Sequence, residues 1–477
     1  MILDWQAEDV LRAVRGQCLH EQIWAAQGVS IDSRTTRPGD LFIALEGPHF
    51  DAHIFVREAF AAGATAAIVH RAPPHLSPEA PLLYVEDTFT ALQDLGRVAR
   101  GRTKAQIIAV TGSVGKTTSK EILRLMLGSI ADTYANEGSL NNRWGVPLSM
   151  ARMPQNANYG VFEIGMNRPN EIGPLAHEVQ PHVALITTVE PVHLANFPSV
   201  EAIADAKAEV FQGMDPAGTA VLNRDNPHYA RLLAAARTQG LRRILSFGSD
   251  SKGDARLLAC RSSGQGSEIE AIVMDQHLAF SLEVPGAHIA MDAVAALLAA
   301  TAAGADPVLC VEALSAYRPL AGRGAWEKIH LNDTQSFTLI DESYNASPVA
   351  MRAALRTLGQ TPLKDGGRRI AILGDMRELG PTAPQLHAGL FEAIEAAGID
   401  IVHCCGENME YLYNVLPASK RGHYRILSAD LAPRVASAIR PNDIVMVKGS
   451  KSVKMPAIVA ALRDLDMRMR AKQMLAG

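Results

Sequence analysis

Cysteines are few in this 477-residue chain, and their positions suit neither a disulfide framework nor a zinc site. The five cysteines are odd in number and scattered, and none forms a Cys-x-x-Cys pair. Disulfide frameworks and structural zinc sites need paired or closely spaced cysteines. The stretch from Met1 to Trp5 shows neither the basic nor the apolar region of a secretory signal. We therefore expect a protein of the reducing cytoplasm.

The sequence also lacks an excess of charge of either sign and a long apolar run. Its 46 lysine and arginine residues against 50 aspartate and glutamate residues leave a net charge of -4. This balance excludes a broad basic field of the kind that binds nucleic acid or anionic lipid. The most apolar stretch, Ala293 to Ala305, is shorter than the ~20 residues that span a bilayer. It predicts a buried helix, and we expect neither a nucleic-acid partner nor membrane insertion.

Apolar runs alternate with helical spacing along the chain, which predicts an α/β fold. The composition becomes basic and polar near residue 103, and a second linker, Arg318 to Gly324, follows an alanine-rich helix. These changes divide the chain into predicted units 1–103, 104–320 and 321–477. We predict a small N-terminal α/β unit, a central unit with a mainly parallel sheet and a C-terminal Rossmann-like unit. The predicted strands are Leu41–Leu45, Ala66–Val69, Gln106–Val110, Tyr159–Ile164, Val183–Val189, Thr219–Asn223, Phe337–Ile340, Arg369–Leu373, Ile399–His403 and Asp443–Val447.

A glycine-rich string, Thr111-Gly-Ser-Val-Gly-Lys-Thr-Thr118, lies between a predicted strand and the helical run Lys120 to Leu127. Backbone N–H groups in such a turn point at phosphate oxygens, a lysine neutralises the β/γ charge and a hydroxyl holds Mg²⁺. Because Val110 stands where the full motif has glycine, a simple turn and helix cap is the alternative. If the string binds phosphate, the central unit is P-loop ATPase-like. The predicted ATP-binding residues are then Gly112, Ser113, Val114, Gly115, Lys116, Thr117 and Thr118.

Phosphoryl transfer also needs groups that hold metal at the ends of neighbouring strands. Glu163 ends one predicted strand, and His193 follows another across a turn. Lys207 lies in a predicted helix with Ser199 as its N-cap, between two alanines. Desolvation there would remove its proton, and the neutral amine would add CO₂ to become a carbamate ligand. Each residue also has a simpler interpretation. Glu163 would be a helix-capping or surface carboxylate, His193 a structural or solvated imidazole, and Lys207 a solvated helix lysine.

Together these strings resemble those of the Mur ligases, the ATP-dependent amide-forming enzymes of peptidoglycan precursor synthesis. The resemblance runs from about residue 30 to about residue 456, and the third-unit strings look like the branch that adds D-alanyl-D-alanine. The matching strings are Thr111 to Thr118, Asn141-Asn-Arg-Trp-Gly-Val-Pro147, Glu163-Ile-Gly-Met166, His193, Lys207-Ala-Glu209, Ser343-Tyr-Asn-Ala-Ser-Pro348, Leu373-Gly-Asp-Met-Arg-Glu-Leu-Gly380 and Val447-Lys-Gly-Ser450.

The resemblance implies a ligase whose partners are the small molecules ATP, UDP-N-acetylmuramoyl-tripeptide and D-alanyl-D-alanine. The tripeptide carboxylate attacks the γ-phosphate, and the dipeptide amine then displaces phosphate from the acyl phosphate. Two Mg²⁺ ions are implied, with Thr117 and Glu163 on one ion and His193 plus a carbamylated Lys207 near the other. We expect a monomer. The implied catalytic residues are Lys116, Glu163, His193, Lys207 and Arg323, the last reaching ATP from the second domain junction.

The resemblance also implies contacts to the nucleotide and to both peptide substrates. Asp341 and Glu342 match an Asp-Asp pair that holds the ribose of ATP, and we assign Asp341 to this role while the second member stays open. The implied substrate contacts are Ser33 and Arg34 for UDP, Asn141 and Asn142 for the sugar, Asn345 for the dipeptide or nucleotide, and Lys448 for the dipeptide carboxylate. The alternatives are that the polar loop residues only form turns and that Lys448 lies on a solvated edge.

Two other functions stay open at this point. One is another amino-acid ligase of the same superfamily, such as a folylpolyglutamate-type enzyme, against which the string Leu373 to Gly380 argues. The other is a P-loop ATPase switch that hydrolyses ATP without any peptide. The sequence also departs from the family pattern at two places: Ala52 replaces a usual glycine in the turn on the uridine side, and the segment Pro285 to Asp292 lacks the asparagines usual after its histidine, so the adenine contacts are undetermined.

Overall fold

Alternating strands and helices build three α/β units in succession, as the sequence predicts. The computed structural model describes residues 5–18, 23–77, 79–263 and 266–476, with side chains described up to residue 466. Within these ranges no helix combines the length and the apolar character needed to cross a bilayer.

The first unit packs helices against a mostly parallel sheet. Its elements are β1 (Trp5–Gln6), α1 (Ala7–Val14), β2 (Gln17–Cys18), β3 (Ala25–Ala26), β4 (Gly28–Ser30), β5 (Asp40–Ile43), β6 (Glu46–Gly47), β7 (Phe50–Asp51), α2 (Val56–Ala61), β8 (Ala66–Val69), β9 (Leu82–Tyr84) and α3 (Thr88–Arg102). The sheet order is β2-β9-β8-β5-β4, with only β2 antiparallel to its neighbour. The predicted strand Ala66–Val69 is confirmed.

The central unit carries the largest sheet. Its elements are β10 (Gln106–Thr111), α4 (Lys116–Gly128), β11 (Thr133–Ala135), α5 (Gly145–Ala151), β12 (Tyr159–Glu163), α6 (Ile172–Val179), β13 (Val183–Ile186), α7 (Val200–Ala208), β14 (Thr219–Asn223), α8 (Tyr229–Thr238), β15 (Arg243–Gly248), β16 (Ala255–Ser263), β17 (Gly266–Val273), β18 (Gln276–Leu282), α9 (Ala287–Ala302) and α10 (Pro307–Glu312). The order is β11-β12-β10-β13-β14-β15-β16-β17-β18, parallel as far as β16 and antiparallel beyond it.

The third unit is a Rossmann-like layer of helices on a mainly parallel sheet. Its elements are β19 (Ala325–His330), β20 (Ser336–Glu342), α11 (Pro348–Gln360), β21 (Arg369–Gly374), α12 (Ala383–Ala388), α13 (Leu390–Ala396), β22 (Ile401–Cys405), α14 (Met409–Val415), β23 (Arg421–Arg425), α15 (Ser428–Ala438), β24 (Ile444–Lys448) and α16 (Pro456–Ala476). The order is β19-β20-β24-β21-β22-β23, and only β19 is antiparallel.

The alanine-rich helix α9 lies inside the central unit, which confirms the prediction of a buried helix. Ala293 to Ala300 are almost completely buried, and they pack with α4 and with the sheet in one apolar cluster. A helix that is apolar all round has no solvent face to present, so it must be covered on every side. Short alanine side chains let α4 approach closely, which fixes the helix that begins at Lys116 against the sheet.

The topology brings the carboxyl ends of three parallel strands together. Strand β10 lies between β12 and β13, so the turn at residue 112 faces Glu163 at the end of β12 and the segment after β13. Ligands of open α/β sheets bind in the crevice outside such carboxyl ends. The predicted strand Val183–Val189 is too long, because the chain leaves the sheet after Ile186 and passes beside the glycine-rich turn.

Candidate functional site

The glycine-rich turn has the tight geometry that its sequence predicts. Gly115 is the N-cap of α4 with φ 83°, in the left-handed region that glycine adopts without strain. Gly112 has φ 150°, and a Cβ there would overlap Thr187 Oγ1. The N-terminus of α4 therefore opens directly onto the turn, with its backbone N–H groups available to an anion. Ser113 anchors the turn to the neighbouring segment through its N–H, which donates to Thr188 O at 2.8 Å.

Lys116 is folded back over this turn. Its Nζ donates to Gly112 O at 2.7 Å and to Ser113 O at 3.3 Å. Burial lowers the pKa of the amine, the nearby Arg323 lowers it further, and Glu163 opposes both effects. The charged form of a lysine in this position is stabilised by an anionic ligand, and a phosphate chain is such a ligand.

Glu163 and Thr117 form a buried oxygen pair beside the turn. Thr117 Oγ1 donates to Glu163 Oε2 at 2.7 Å, and Asn141 Nδ2 donates to Glu163 Oε1 at 2.6 Å. A carboxylate and a hydroxyl at this spacing are the hard oxygen donors that Mg²⁺ prefers, with phosphate and water completing its shell. Within the described residues no cluster of three or more His, Cys, Asp and Glu side chains forms a complete protein cage. The donors present therefore fit a Mg²⁺ ion shared with a bound nucleotide.

Lys207 is buried on α7, where Ser199 caps the helix by accepting from Ala202 N–H, as predicted. Burial lowers the pKa of Lys207 far below its usual value, and the charge of Lys116 lowers it further. Among the described residues its Nζ has no hydrogen-bonding or ion-pairing partner. Burial and the neighbouring Lys116 thus both favour the neutral form of the amine. A neutral amine is the form that reacts with CO₂.

His193 lies on the loop after β13 and faces the third unit. Its Nδ1 contacts Glu378 Oε2 directly, and Ala195 N–H donates to Glu378 O at 3.1 Å. The hydrogen bond from His193 lowers the pKa of the Glu378 carboxyl. The structure thus orients the predicted metal-binding imidazole by a residue from another unit.

Arg323 projects from the second linker across the cleft entrance. Its guanidinium stacks on the Tyr344 ring at 4.0 Å. Asp341 supports this linker from behind, since it accepts from Gly322 N–H at 3.2 Å and from Arg463 at 3.1 Å. Asp341 is buried in that network, whereas Glu342 is the member of the pair that lines the cleft.

Lys448 and Asn345 lie on the cleft wall of the third unit. Lys448 Nζ donates to Glu342 Oε2 at 2.9 Å and to Asn345 O at 3.2 Å, so the ammonium is fixed at the end of β24. The amine is almost completely buried, which excludes the alternative of a solvated lysine at a strand edge. A buried cation at a cleft wall is suited to a carboxylate ligand.

A single cleft of about 1370 Å³ joins most of these groups. Its walls come from the central and third units, together with Phe89 and Gln93 of the first. Of the predicted site residues, those that line it are Ser113, Val114, Gly115, Lys116, Thr117, Thr118, Asn141, Asn142, Glu163, His193, Arg323, Asn345 and Lys448. Those outside its lining are Ser33, Arg34, Gly112, Lys207 and Asp341.

The N-terminal pair is set apart from this cleft. Arg34 is exposed and forms a two-pronged ion pair with Asp32, at 2.8 Å from Nε to Oδ1 and 2.5 Å from Nη2 to Oδ2. This pairing lowers the pKa of Asp32.

The side chain of Asn142 makes local hydrogen bonds, because its Oδ1 accepts from Trp144 N–H and Gly145 N–H at the start of α5.

Sequence reasoning did not single out Asn136 and Lys120, which support the segment that carries Glu163. Asn136 brackets the backbone of Glu163, accepting from its N–H at 2.8 Å and donating to its carbonyl at 3.2 Å. Lys120 is fully buried and donates to Asn136 O at 2.6 Å. Its spacing of three residues from Thr117, on the same face of α4, was the available signal.

The segment with the altered asparagine pattern also borders the nucleotide turn. His288 and Asp292 line the cleft, and a Cβ on Gly115 would overlap Asp292 Oδ1. Burial raises the pKa of Asp292 well above its usual value. Burial thus favours the protonated form of this carboxyl, which has both a donor and an acceptor.

Comparisons with known proteins match most of the chain. Family models described as "Mur ligase family, catalytic domain", "Mur ligase middle domain" and "Mur ligase, glutamate ligase domain" match residues 25–98, 110–300 and 326–451. The UDP-N-acetylmuramoyl-tripeptide--D-alanyl-D-alanine ligases of Rickettsia prowazekii and Escherichia coli are 31% and 32% identical, over 90% and 91% of this chain and 94% and 93% of theirs.

Solved structures agree with these sequence matches. A MurF crystal structure from Acinetobacter baumannii superposes with a TM-score of 0.84 at 30% identity, covering 97% of this chain and 99% of that one. The MurF ligase of Thermotoga maritima in complex with ADP superposes with a TM-score of 0.75 at 25% identity, covering 92% and 98%.

Proposed function

The chain belongs to the Mur ligase family, and from that premise we propose that it joins D-alanyl-D-alanine to UDP-N-acetylmuramoyl-tripeptide with conversion of ATP to ADP and phosphate. The product is UDP-N-acetylmuramoyl-pentapeptide, which completes the cytoplasmic stage of peptidoglycan precursor synthesis. The relatives that carry this activity in their names match the chain over nine-tenths of its length.

One observation supports the reaction above the others: phosphate-binding and carboxylate-binding groups face each other across one cleft. Lys116 and the Thr117–Glu163 pair lie on the central wall, and Lys448 lies on the wall of the third unit. An enzyme that only hydrolyses ATP has no need of a buried cation opposite its phosphate site. A ligase needs one, because its second substrate ends in a carboxylate.

In the first chemical step a tripeptide carboxylate oxygen attacks the γ-phosphorus of ATP. The new P–O bond forms as the bond to the β-phosphate oxygen breaks, giving an acyl phosphate and ADP. Lys116 and the α4 N-terminus balance the charge of the transferring group, and Arg323 approaches it from the linker. The resulting acyl phosphate has a good leaving group where the carboxylate had none.

In the second step the dipeptide amine attacks the acyl carbon. The tetrahedral intermediate collapses as the C–O bond to phosphate breaks, and the amine loses a proton to a base that is still to be identified. Lys448 holds the dipeptide carboxylate, with Asn345 beside it. Lys448 therefore sets the position of the amine relative to the acyl carbon.

Thr117 and Glu163 would hold one Mg²⁺ ion, and His193 with Lys207 would hold a second. Bound Mg²⁺ supplies neutralisation of the phosphate charge. The Lys207 amine adds to CO₂, forming an N–C bond and releasing a proton, and the carbamate then offers two oxygens where the amine offered one nitrogen. The burial of the Lys207 side chain supports this modification, as does the lack of a hydrogen-bonding partner for its amine among the described residues.

We also propose a monomer that works in the cytoplasm. All groups assigned to the reaction come from one chain, and the five cysteines are unpaired thiols, as a reducing compartment maintains them. Ser33 and Arg34 bind the UDP end on the first unit, and Asn141 and Asn142 bind the sugar between the two ends. Asp341 contributes to the ATP site by holding the linker that carries Arg323.

The test is an ATP-consumption assay with UDP-N-acetylmuramoyl-tripeptide, comparing D-alanyl-D-alanine with single amino acids. We expect ADP release to depend on both substrates and a product longer by one dipeptide, detected by mass spectrometry. ATP cleavage at an unchanged rate without either substrate, and no longer product, would show an ATPase switch instead. Product from a single amino acid would show a different ligase of the superfamily.

Lys116→Ala is the negative control for this assay. Without the phosphate lysine, acyl phosphate formation should fall by about 10² to 10³-fold, as when one preorganised charge-stabilising group is lost. Circular dichroism should show an unchanged fold, because Lys116 contacts only the turn. Full activity of the purified variant would remove Lys116 from the mechanism.

A further inference from the structure

His193 and Glu378 meet across the boundary between the central and third units. His193 follows β13, whereas Glu378 follows β21, and the two are 185 residues apart in sequence. Besides the Nδ1 to Oε2 contact, Ala195 N–H donates to Glu378 O at 3.1 Å. Gly380, two residues further on, approaches Ala195 closely enough that a Cβ would lie in ordinary van der Waals contact. Side chain and backbone thus join the same two loops.

Both residues adopt backbone conformations that are uncommon outside glycine. His193 has φ 57° and Glu378 has φ 62°, in the left-handed region. Such a conformation is unfavourable for a residue with a Cβ, and it persists where surrounding contacts determine it. Two facing loops with the same unfavourable conformation point to a contact that the fold maintains for a purpose other than stability.

The loop that presents Glu378 is itself firmly held. Met376 N–H donates to His387 Nε2 at 2.9 Å, and Arg377 N–H donates to Ser450 Oγ at 2.9 Å. Ser450 N–H in turn donates to Asp375 O at 3.0 Å. Ser450 closely follows Lys448, so the loop carrying Glu378 is tied to the strand end that we assign to the dipeptide.

The ion pair itself is too exposed to contribute much stability. The side chain of His193 is 24% exposed and that of Glu378 is 47% exposed, and ion pairs in such positions are screened by water and add little to stability. Its geometry has a chemical consequence instead. A carboxylate that accepts the Nδ1 proton of an imidazole fixes the ring tautomer and orientation, and it leaves the Nε2 lone pair for a ligand.

We propose that Glu378 is a positioning residue: it orients His193 from the third unit, so that the imidazole is ready for its ligand only when the dipeptide-binding unit has closed on the ATP-binding unit. This inference rests on the proposed function, because it assigns His193 to the phosphate end of the cleft. It gives a role to the string Leu373 to Gly380, whose glutamate no step above uses. ATP chemistry is thereby tied to the position of the second substrate's domain.

The first test is a double-mutant cycle measured on the complete ligation reaction. Glu378→Gln in the wild-type background should lower kcat by 10- to 100-fold, the usual range for loss of a carboxylate that orients a metal-binding histidine, with KM for ATP changed less than about threefold. In a His193→Asn background the same change should lower kcat by less than about threefold, because Glu378 then has no imidazole to orient.

Controls separate this role from a structural one. Glu392→Gln, on the exposed face of α13 in the same unit, should leave kcat unchanged. Glu378→Asp keeps the charge but is one methylene shorter, so its kcat should lie between those of the wild type and Glu378→Gln. Equal losses from Glu378→Gln in both backgrounds would overturn the proposal, as would wild-type kcat in the single variant.

The second test needs no ligation, so it stands even if the proposed function fails. Mn²⁺ replaces Mg²⁺, and its binding to the full-length protein with a non-hydrolysable ATP analogue is titrated by electron paramagnetic resonance. Glu378→Gln should weaken the His193-dependent ion by 10- to 100-fold and leave the other ion unchanged. Identical Mn²⁺ isotherms for wild type and Glu378→Gln would overturn the proposal.

Discussion

Within the described part of the chain Lys207 has no hydrogen-bonding or ion-pairing partner, although it is among the largest fully buried side chains there. Burial and the nearby Lys116 both lower the pKa of its amine. A buried lysine that was only structural would be expected to have a carboxylate or carbonyl partner, as Lys120 has in Asn136. The contrast between these two lysines of the same unit makes Lys207 the candidate for chemical modification.

We predict that Lys207→Ala abolishes ligation and that added short carboxylates such as acetate or formate restore part of the rate. The small acid would enter the vacated volume and supply the oxygens of the lost carbamate. The measurement is kcat against carboxylate concentration. Wild-type activity in the variant, or loss without rescue by any short acid, would count against the carbamate. Lys120→Ala is the matched comparison, since its loss should not be rescued.

His403 should make the stability of the protein dependent on pH, although it has no role in the proposed reaction. It is buried, and burial, His423 and Arg368 lower its pKa to about 4. Its Nδ1 accepts from His423 N–H at 2.8 Å, a bond that the neutral ring makes. Since the unfolded chain titrates near 6.5, the unfolded state binds more protons between these values, and stability falls as pH drops through that window.

The predicted loss from His403 alone is about 3 kcal/mol of unfolding free energy between pH 6.5 and pH 4. His403→Asn keeps an acceptor for His423 N–H but cannot take up the proton, so its unfolding free energy should change less across this window. Urea denaturation at several pH values measures the difference. Parallel pH dependence in the wild type and the variant would contradict this assignment.

At the scale of elements, helix α7 shows how a local signal positions a functional side chain. Ser199 Oγ accepts from Ala202 N–H, and the helix then runs through Lys207 to its end at Ala208. Because the cap sets where the helix begins, it also sets the direction in which Lys207 projects. The cap is readable from the sequence, whereas the burial of Lys207 against other elements is not.

We predict that Ser199→Ala lowers the unfolding free energy by about 1 kcal/mol, the usual cost of losing an N-cap side chain. The measurement is chemical denaturation, with Ser315→Ala as the control because that hydroxyl makes only a long bond to a preceding carbonyl. An equal effect of the two substitutions would show that the cap contributes nothing specific.

Some elements follow from sequence and others do not. The strands Ala66–Val69 and Thr219–Asn223 are buried on both faces and form apolar runs, so their predicted bounds are confirmed. The antiparallel strands β16 to β18 were not predicted, because they form no continuous apolar run. Helix α9 covers one face of these strands, and the other face is solvated. In the third unit β19 and β23 were missed for the same reason, because both are edge strands with mixed burial.

For the whole molecule, the cleft depends on how the units are placed about the second linker. Arg323 is held there by stacking on Tyr344, and the turn beneath it is held by Asp341. Arg323 is close enough to lower the pKa of Lys116, so the two cations need a shared anion. The phosphate chain of ATP is the anion that we propose for this place.

We predict that Arg323→Ala lowers kcat for ligation by about 10²-fold or more, since it removes a charge aimed at the transferring phosphate. Arg323→Lys should recover little, because lysine lacks the planar group that stacks on Tyr344. Arg318→Ala is the control in the same linker, as Arg318 is exposed and pairs with Glu283. Steady-state kinetics separate the variants, and equal activity of Arg323→Ala and Arg318→Ala would contradict the role.

The sequence alone determined the α/β class, the glycine turn, the start of α7 and the family, because these depend on residues close together in the chain or on contiguous strings. Only the tertiary structure decided which distant groups meet. It turned Asp341 towards the linker and Glu342 towards the cleft, paired His193 with Glu378, and left Lys207 without a hydrogen-bonding partner among the residues that the structure describes. Such contacts depend on how the sheets and helices pack against one another, and no local pattern records that packing.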